Sequence, residues 1–305
     1  MTNKNLLKNK LIVFLLAILC CLLWGSAFPS IKIGYELFEI EASDSMSQIL
    51  FAGLRFFLAG VMAIIFGSFL QKKMLFPKKD SWRMVWTLSV FQTILQYFFF
   101  YVGLAHASGV KASIINGMST FFAILLACLI RKQEKLTINK ISGCVLGAIG
   151  VILVSLAGGN LGEGFAVNGE GFILIASISY AISSVLIKEY STKENPVTLS
   201  GYQFIIGGIV MILVGYFAGG RLQITSITGI PLIVYMALIS SVAYSIWGIL
   251  LKYNPVSSVT IYGFTNPIFG ALLSALFLSE WKKITVQYLI ALVLVSAGIY
   301  VVNRD

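Results

Sequence analysis

Charge is scarce in this chain. Only 11% of its 305 residues are Asp, Glu, Lys or Arg, against roughly 25% in a soluble domain, and 58% are hydrophobic with a mean hydropathy of +0.91. A water-soluble globule is excluded by that balance. Acids number 12 and histidine occurs once, at His106, and no Asp or Glu falls well inside an apolar run. A membrane-embedded hydrolase needs a nucleophile with a base, paired aspartates or a metal; serines here have no activator, so no catalytic residue, metal site or cofactor is expected. The four cysteines, Cys20, Cys21, Cys128 and Cys144, all lie in apolar runs, which predicts neither a disulfide framework nor thiolate ligation.

What the chain has instead is a series of apolar runs, each near the 20 residues that a membrane-spanning helix needs. Ten are read, at about 11–33, 49–70, 84–104, 110–130, 138–157, 170–188, 198–218, 230–251, 257–279 and 284–303. Barrel strands would be shorter and alternating, so the fold class expected is an all-α integral membrane protein of ten transmembrane helices. The first run is too long for a signal peptide. The net charge of +10 does not point to nucleic acid, because of where it sits. With alternating spans, Lys4, Lys8, Lys10, Lys72, Lys73, Lys78, Lys79, Arg83, Arg131, Lys132, Lys135 and Lys140 share one side. Glu36, Glu39, Glu41, Asp44 and Glu163 share the other. Positive loops stay cytoplasmic, so a multi-pass protein of the cell membrane with both termini cytoplasmic is expected.

The chain also repeats itself. His106–Glu134 is echoed by Lys252–Glu280, where a shift of 146 brings Gly117 onto Gly263, Ser119 onto Thr265 and Glu134 onto Glu280. Gly53, Gly60 and Gly67, spaced by seven, recur as Gly201, Gly208 and Gly215 at a shift of 148, which sets Arg55 against Gln203. Tyr97 meets Tyr244 at 147, and Trp24 with Lys32 meets Tyr180 with Lys188 at 156. Such an echo has to be read before any fold is assigned. It divides the chain into residues 1–157 and 158–305, two five-helix units. Because five is odd, the second unit enters the membrane from the opposite side, giving two inverted five-helix repeats with a binding site near their interface.

Polar residues mark the faces that cannot look at lipid. Trp24 and Phe28 share a face of the first span, which Gly25 and Pro29 are expected to weaken. Arg55 lies about 10 Å into the second span and either ties helices together or meets substrate. Lys32, near a span end, reads as a lysine reaching for the interface. Ser89, Gln92, Thr93 and Gln96 form one stripe of the third span beside Tyr97 and Tyr101; Ser113, Asn116, Gly117 and Thr120 form another in the fourth. The second unit supplies Ser177, Tyr180 and Ser184, then Ser240, Ser241, Tyr244, Ser245 and Trp247, then Ser258, Tyr262, Thr265 and Asn266. Spans two, five, seven and ten carry glycine ladders and bare aliphatics instead, so they are expected to support a cavity that the other six wall. The candidate substrate-binding residues are Trp24, Arg55, Gln96, Tyr97, Asn116, Tyr180, Ser184, Tyr244, Trp247, Tyr262 and Asn266. For each, bonding between helices is the competing role.

The runs LLWGSAFPSIK at Leu22–Lys32, LRFFLAG at Leu54–Gly60, LTINKISGCVLGAIGVILV from Leu136 and NPIFGALLSALFLSE at Asn266–Glu280 together resemble the drug/metabolite transporter superfamily, in its ten-helix branch built from two EamA-type repeats. The resemblance spans nearly the whole chain. It implies a secondary transporter that moves small polar metabolites, amino acids or their relatives, outward by alternating access. An importer or exchanger of sugars, nucleosides or organic anions is the alternative, with a non-transporting sensor or assembly subunit behind it. The implied partners are a small-molecule substrate and membrane lipids, with no nucleic acid; the glycine ladders would serve a homodimer as well as a monomer. Two departures stand out. Phe121 occupies a position where the fourth span of this family often has proline, while Pro267 keeps it in the ninth. The small members that export cations place a glutamate eight residues before a lysine; before Lys32 and Lys188 stand Trp24 and Tyr180.

Overall fold

The computed structural model describes residues 6–107, 109–157, 166–223, 227–279 and 286–304, and every regular element among them is helical. α1 is Lys10–Leu37, started by Asn9, whose side chain accepts from the Leu11 and Ile12 amides. It runs unbroken through Pro29. α2 is Ser45–Leu70, capped by Asp44. α3, Lys79–His106, opens on a 3₁₀ turn at Lys79–Ser81 and is α-helical on either side of a π-helical stretch at Ser89–Leu95. α4 is Gly109–Leu125, closed by a π-helical turn at Leu126–Ile130. α5 is Ile138–Ala157, α6 Val167–Tyr190, α7 Pro196–Phe217 with Pro196 in its first turn, and α8 Gly229–Tyr253. α9, Val256–Phe277, tightens to a 3₁₀ segment at Ile261–Thr265, and α10 is Val286–Val302.

By length and hydropathy α1, α2, α3, α6, α7, α8 and α9 could each cross a membrane, and α4, α5 and α10 contribute shorter apolar stretches. Burial is the reverse of a soluble protein's. Phe69 is 82% exposed and Ile65 58%, while Arg55 is 1% exposed and Gln203 fully buried. Apolar residues outside and polar ones inside are stable only if the surroundings are hydrocarbon, since lipid cannot satisfy an amide or a guanidinium.

The glycine ladders bring backbones into contact. A Cβ on Gly60 would lie 2.5 Å from the Gly201 carbonyl oxygen, one on Gly53 2.7 Å from the Ile212 amide, and one on Gly208 2.5 Å from the Phe57 amide. Small residues thus let α2 and α7 approach closely. Leu50 faces Gly215, Gly53 faces Gly208, Gly60 faces Gly201 and Gly67 faces Val197, so the two helices run antiparallel. α5 and α10 meet the same way through Gly143 and Gly298, each of whose Cβ would lie within 2.7 Å of the other's carbonyl. α1 packs on α8 and α9; α6 packs on α3 and α4. Exchange the halves and the contact pattern is preserved.

Hydrogen bonds tie the two ends of the bundle. At the basic end Lys10 donates to the Asn303 carbonyl, Asn254 to the Leu7 carbonyl, Asn195 to Gln71, and Lys78 to the Lys193 carbonyl. There too Arg131 pairs with Glu189. Glu134 accepts from the Ser257 amide at 3.1 Å, from the Ser257 hydroxyl and from Lys140 at 2.9 Å, tying the α4–α5 loop to the first turn of α9. Burial alone would raise this carboxyl; the bonds from Ser257 and Lys140 outweigh it and hold it below its ordinary value. At the opposite end the ammonium of Lys32 donates to the carbonyls of Leu104 and Ala107 at 3.3 and 3.2 Å. The lysine read as reaching for the interface also caps the C-terminus of α3. Lys188, its counterpart, donates to the Asn254 carbonyl at 2.6 Å and caps α8. Glu163 and Glu280 lie outside the described residues.

Candidate functional site

One cavity lies where the two halves meet, and residues that correspond under the repeat touch each other around it. Trp24 of α1 and Tyr180 of α6 meet edge to face at 6.1 Å. Tyr97 of α3 and Tyr244 of α8 share a hydrogen bond between their hydroxyls at 2.5 Å. Phe56 of α2 and Phe204 of α7, related by the shift of 148, stack at 5.2 Å. Phe56 also packs on Tyr97 at 4.0 Å, as Phe204 packs on Tyr244 at 5.0 Å. These pairs mark a pseudo-two-fold line through the centre of the bundle. Trp24 joins the groups, with edge contacts to Tyr244 at 5.1 Å and Trp247 at 4.9 Å.

The wall also carries Arg55, Gln96, Asn116, Ser119, Thr120, Thr260, Asn266 and Phe100, and the cavity volume is about 50 Å³. Among the described residues no wall residue comes from α5, α7 or α10, and α2 gives only Arg55. Several buried polar atoms here have no protein partner: the indole nitrogens of Trp24 and Trp247, Oε1 of Gln96 and Oδ1 of Asn266. An unpaired buried donor or acceptor costs about 1–3 kcal/mol. Two donors and two acceptors on wall residues are left unpaired. Arg55 donates from Nε to the Met236 carbonyl at 3.1 Å, from Nη1 to the Tyr101 hydroxyl at 2.8 Å and from Nη2 to the Ser240 hydroxyl at 3.0 Å. Its guanidinium carbon stands 5.0 Å from the centre of the Phe56 ring.

Of the eleven residues singled out in the sequence, Trp24, Arg55, Gln96, Tyr97, Asn116, Tyr180, Tyr244, Trp247 and Asn266 line this cavity. Ser184 and Tyr262 do not. Ser184 is buried off the wall, and Tyr262 turns toward α1, its ring 5.8 Å from Phe14 and its carbonyl accepting from the Cys21 thiol. Phe28, Phe100, Ser119 and Thr260 belong to the wall although the residue-type argument did not nominate them, and Thr120, noted only as part of a polar stripe, belongs with them. A signal existed for two of these: Phe100 is the counterpart of Trp247 at a shift of 147, and Thr120 that of Asn266 at 146. Gly263 makes room for Thr120, whose hydroxyl would stand 2.5 Å from a Cβ there.

A helical bundle with apolar flanks, polar interior and a central cavity between two matching halves is the architecture of a membrane transporter. The chain belongs to the EamA-like transporter family, whose model matches residues 11–156 and again 167–304. It is 26% identical over 297 residues to a probable amino-acid metabolite efflux pump of Salmonella typhimurium, covering 94% of this chain and 93% of that protein. An uncharacterized transporter of Archaeoglobus fulgidus is 25% identical over 290 residues, covering 92% and 95%. A solved crystal structure shares the fold with a TM-score of 0.73 at 17% identity, covering 96% of this chain and 98% of that one. The family is one of transporters, not enzymes.

Proposed function

We propose that this protein is a secondary transporter of the cell membrane that moves small polar metabolites, amino acids or related compounds, outward by alternating access through the cavity on the pseudo-two-fold line. The observation that carries the reading is the cavity itself. Its volume of about 50 Å³ has room for a few waters, far short of the roughly 300 Å³ or more of a pocket holding a drug-sized ligand. A metabolite can therefore reach the unpaired polar groups only when helices part. Matching halves give a means of parting on either side in turn. The antiparallel packing of α2 on α7 and of α5 on α10, together with the doubled family match, supports ten spans in two inverted repeats, residues 1–157 and 158–305. The outward direction and the amino-acid class rest on the efflux pump named above. Residues with substrate contact in this reading are Trp24, Arg55, Gln96, Tyr97, Asn116, Tyr180, Tyr244, Trp247 and Asn266. The basic end, with both termini, is cytoplasmic.

Counterflow in proteoliposomes, with a panel of labelled amino acids, organic acids, sugars and nucleosides, tests the reading. Exchange of amino acids above protein-free liposomes is expected. A panel in which no compound exchanges would overturn the proposal, and exchange confined to sugars or nucleosides would replace the substrate class.

A further inference from the structure

Among the described residues Arg55 is the one charged residue on the cavity wall, and none of them pairs with it as a counter-charge. It is 1% exposed, its bonds go to a carbonyl and two hydroxyls, and the ion pairs found among the described residues, Arg131 with Glu189 and Lys140 with Glu134, both lie at the basic end. A buried charge without a counter-charge costs several kcal/mol. Holding helices together would be the ordinary reason to keep it, and the repeat supplies an internal control for that reason. Gln203 occupies the position equivalent to Arg55 on α7. It accepts a hydrogen bond from Thr93, and Thr93 is the counterpart, at the shift of 147, of the Ser240 that Arg55 holds. Equivalent ties between equivalent helices, α2 to α8 and α7 to α3, are thus made once by a guanidinium and once by a neutral amide. The frame needs the hydrogen bond, not the charge.

Three of the five N–H groups of Arg55 are spent on Met236, Tyr101 and Ser240, which leaves two for the cavity. Alongside them the indole N–H groups of Trp24 and Trp247 are buried without acceptors. We propose, resting on the transporter reading above, that Arg55 binds a carboxylate of the substrate, so that the protein recognises small carboxylates and the substrate supplies the counter-charge its cavity lacks. Oε1 of Gln96 and Oδ1 of Asn266, acceptors without donors, then face the N–H or O–H groups of the same molecule. Being fixed by Nε and by one N–H of each Nη, the guanidinium presents its remaining donors in a set direction, which a lysine could not do.

The test is a binding titration on the intact protein in nanodiscs, followed by the fluorescence of its tryptophans, with leucine, N-acetylleucine and N-acetylleucinamide as probes. The first two carry a carboxylate and the third does not. The wild type is expected to bind both carboxylates at least tenfold more tightly than the amide. In Arg55→Gln, the residue its own second half uses, the Kd of both carboxylates should rise at least tenfold, with that of the amide unchanged. Arg55→Lys should keep the preference but weaken both carboxylates severalfold. An Arg55→Gln protein that keeps the wild-type preference overturns the proposal. So does a wild type that favours the amide or binds none of the three, and so does loss of folded protein in both variants, which would assign Arg55 to the frame. Counterflow separates the two readings: exchange on the wider panel with a negative titration removes the carboxylate and leaves the transporter.

Discussion

The two halves of this bundle agree where they meet and differ on either side of the meeting. On the pseudo-two-fold line, aromatic faces aromatic: Trp24 with Tyr180, Tyr97 with Tyr244, Phe56 with Phe204. Off the line the first half places Arg55 and Tyr101, bonded to each other, where the second places Gln203 and Gly248. Gln96, which donates to Tyr244, corresponds to Ala243. On the proposed alternating-access reading the shared features are those that either access state would use, since each half would take the other's role when the cavity opens to the other side. The unshared ones carry charge and hydrogen-bonding capacity, and they sit on the half of the cavity away from the basic end. Symmetry therefore separates, on the proposed reading, what builds the passage from what would select its cargo.

The sharpest way to break the comparison is topological, because the outcome is all or none. A cysteine at Ser43, exposed in the loop between α1 and α2, should react with an impermeant thiol reagent in intact cells, and one at Lys73 should react only after permeabilisation. The four native thiols are buried, so background labelling should be low. Labelling of both sites from the same side would mean that α2 does not cross the membrane, and the odd count of spans on which the inversion rests would fail.

Next in size is the α2–α7 seam. If it is two-fold, Gly60→Ile and Gly208→Ile, equivalent substitutions on opposite helices, should destabilise equally. Each would push a Cβ to 2.5 Å from facing backbone, beyond the roughly 1–3 kcal/mol of ordinary overpacking. Loss of monodisperse, membrane-extracted protein measures it. One variant tolerated and the other not would mean that the seam has a stiff side. A smaller effect, on transport alone, is expected at the centre. Trp24→Ala and Tyr180→Ala should each slow counterflow about tenfold, roughly 1.4 kcal/mol, with the amount of protein in the membrane unchanged. Both lose edge-on contacts of the aromatic cluster.

Much of this arrangement was legible in the sequence because lipid leaves polar groups no other place than the interior. The glycine ladders marked α2, α5, α7 and α10 as supporting helices, and the repeat registers aligned Tyr97 with Tyr244, both expected on the cavity. Helix rotation was not legible: in a membrane both the outside and the core are apolar, so periodicity cannot say by how many degrees a helix turns. That is why Ser184 and Tyr262 were nominated and Phe100 and Thr260 were not. Nor could it foresee the π-helical stretch of α3 or the 3₁₀ segment that precedes Pro267 in α9. Both depend on how neighbouring helices satisfy or crowd the backbone. The asymmetry at Phe121 and Pro267 was visible, and the structure gives it form: α4 stays α-helical through Phe121 to Leu125, while α9 tightens just before its proline.

The ends of the bundle offer finer tests. Glu134 holds a depressed carboxyl, so its stabilising bonds are complete above the ordinary carboxylate range of about 4.3 and are lost as pH falls through the lower folded value. Glu134→Gln should therefore cost about 1–3 kcal/mol at neutral pH, a penalty that shrinks as acid protonates the wild type. Thermal unfolding in detergent from pH 7 down through the carboxylate range to pH 3 measures the difference; a penalty that grew in acid would contradict the assignment.

The smallest effect expected is at the twin lysines. Lys32 and Lys188 are related by the repeat and each caps the helix two further along, Lys32 on α3 and Lys188 on α8. A cation at a helix C-terminus contributes about 0.3–1 kcal/mol. Were Lys32 only a charge reaching for the interface, Lys32→Gln would leave stability unchanged and Lys188→Gln alone would register. If both are caps, each glutamine should lower the unfolding midpoint by a degree or two, roughly as such energies translate. The double variant should show their sum, because sites that far apart with no shared partner are additive to within about 0.3–0.5 kcal/mol. The Lys188 bond is the shorter, 2.6 Å against 3.2 and 3.3 Å, so its loss should be the larger of the two. A greater loss at Lys32 would mean that the half carrying Arg55 also depends more on its cap, and the two halves would differ in stability as well as in charge.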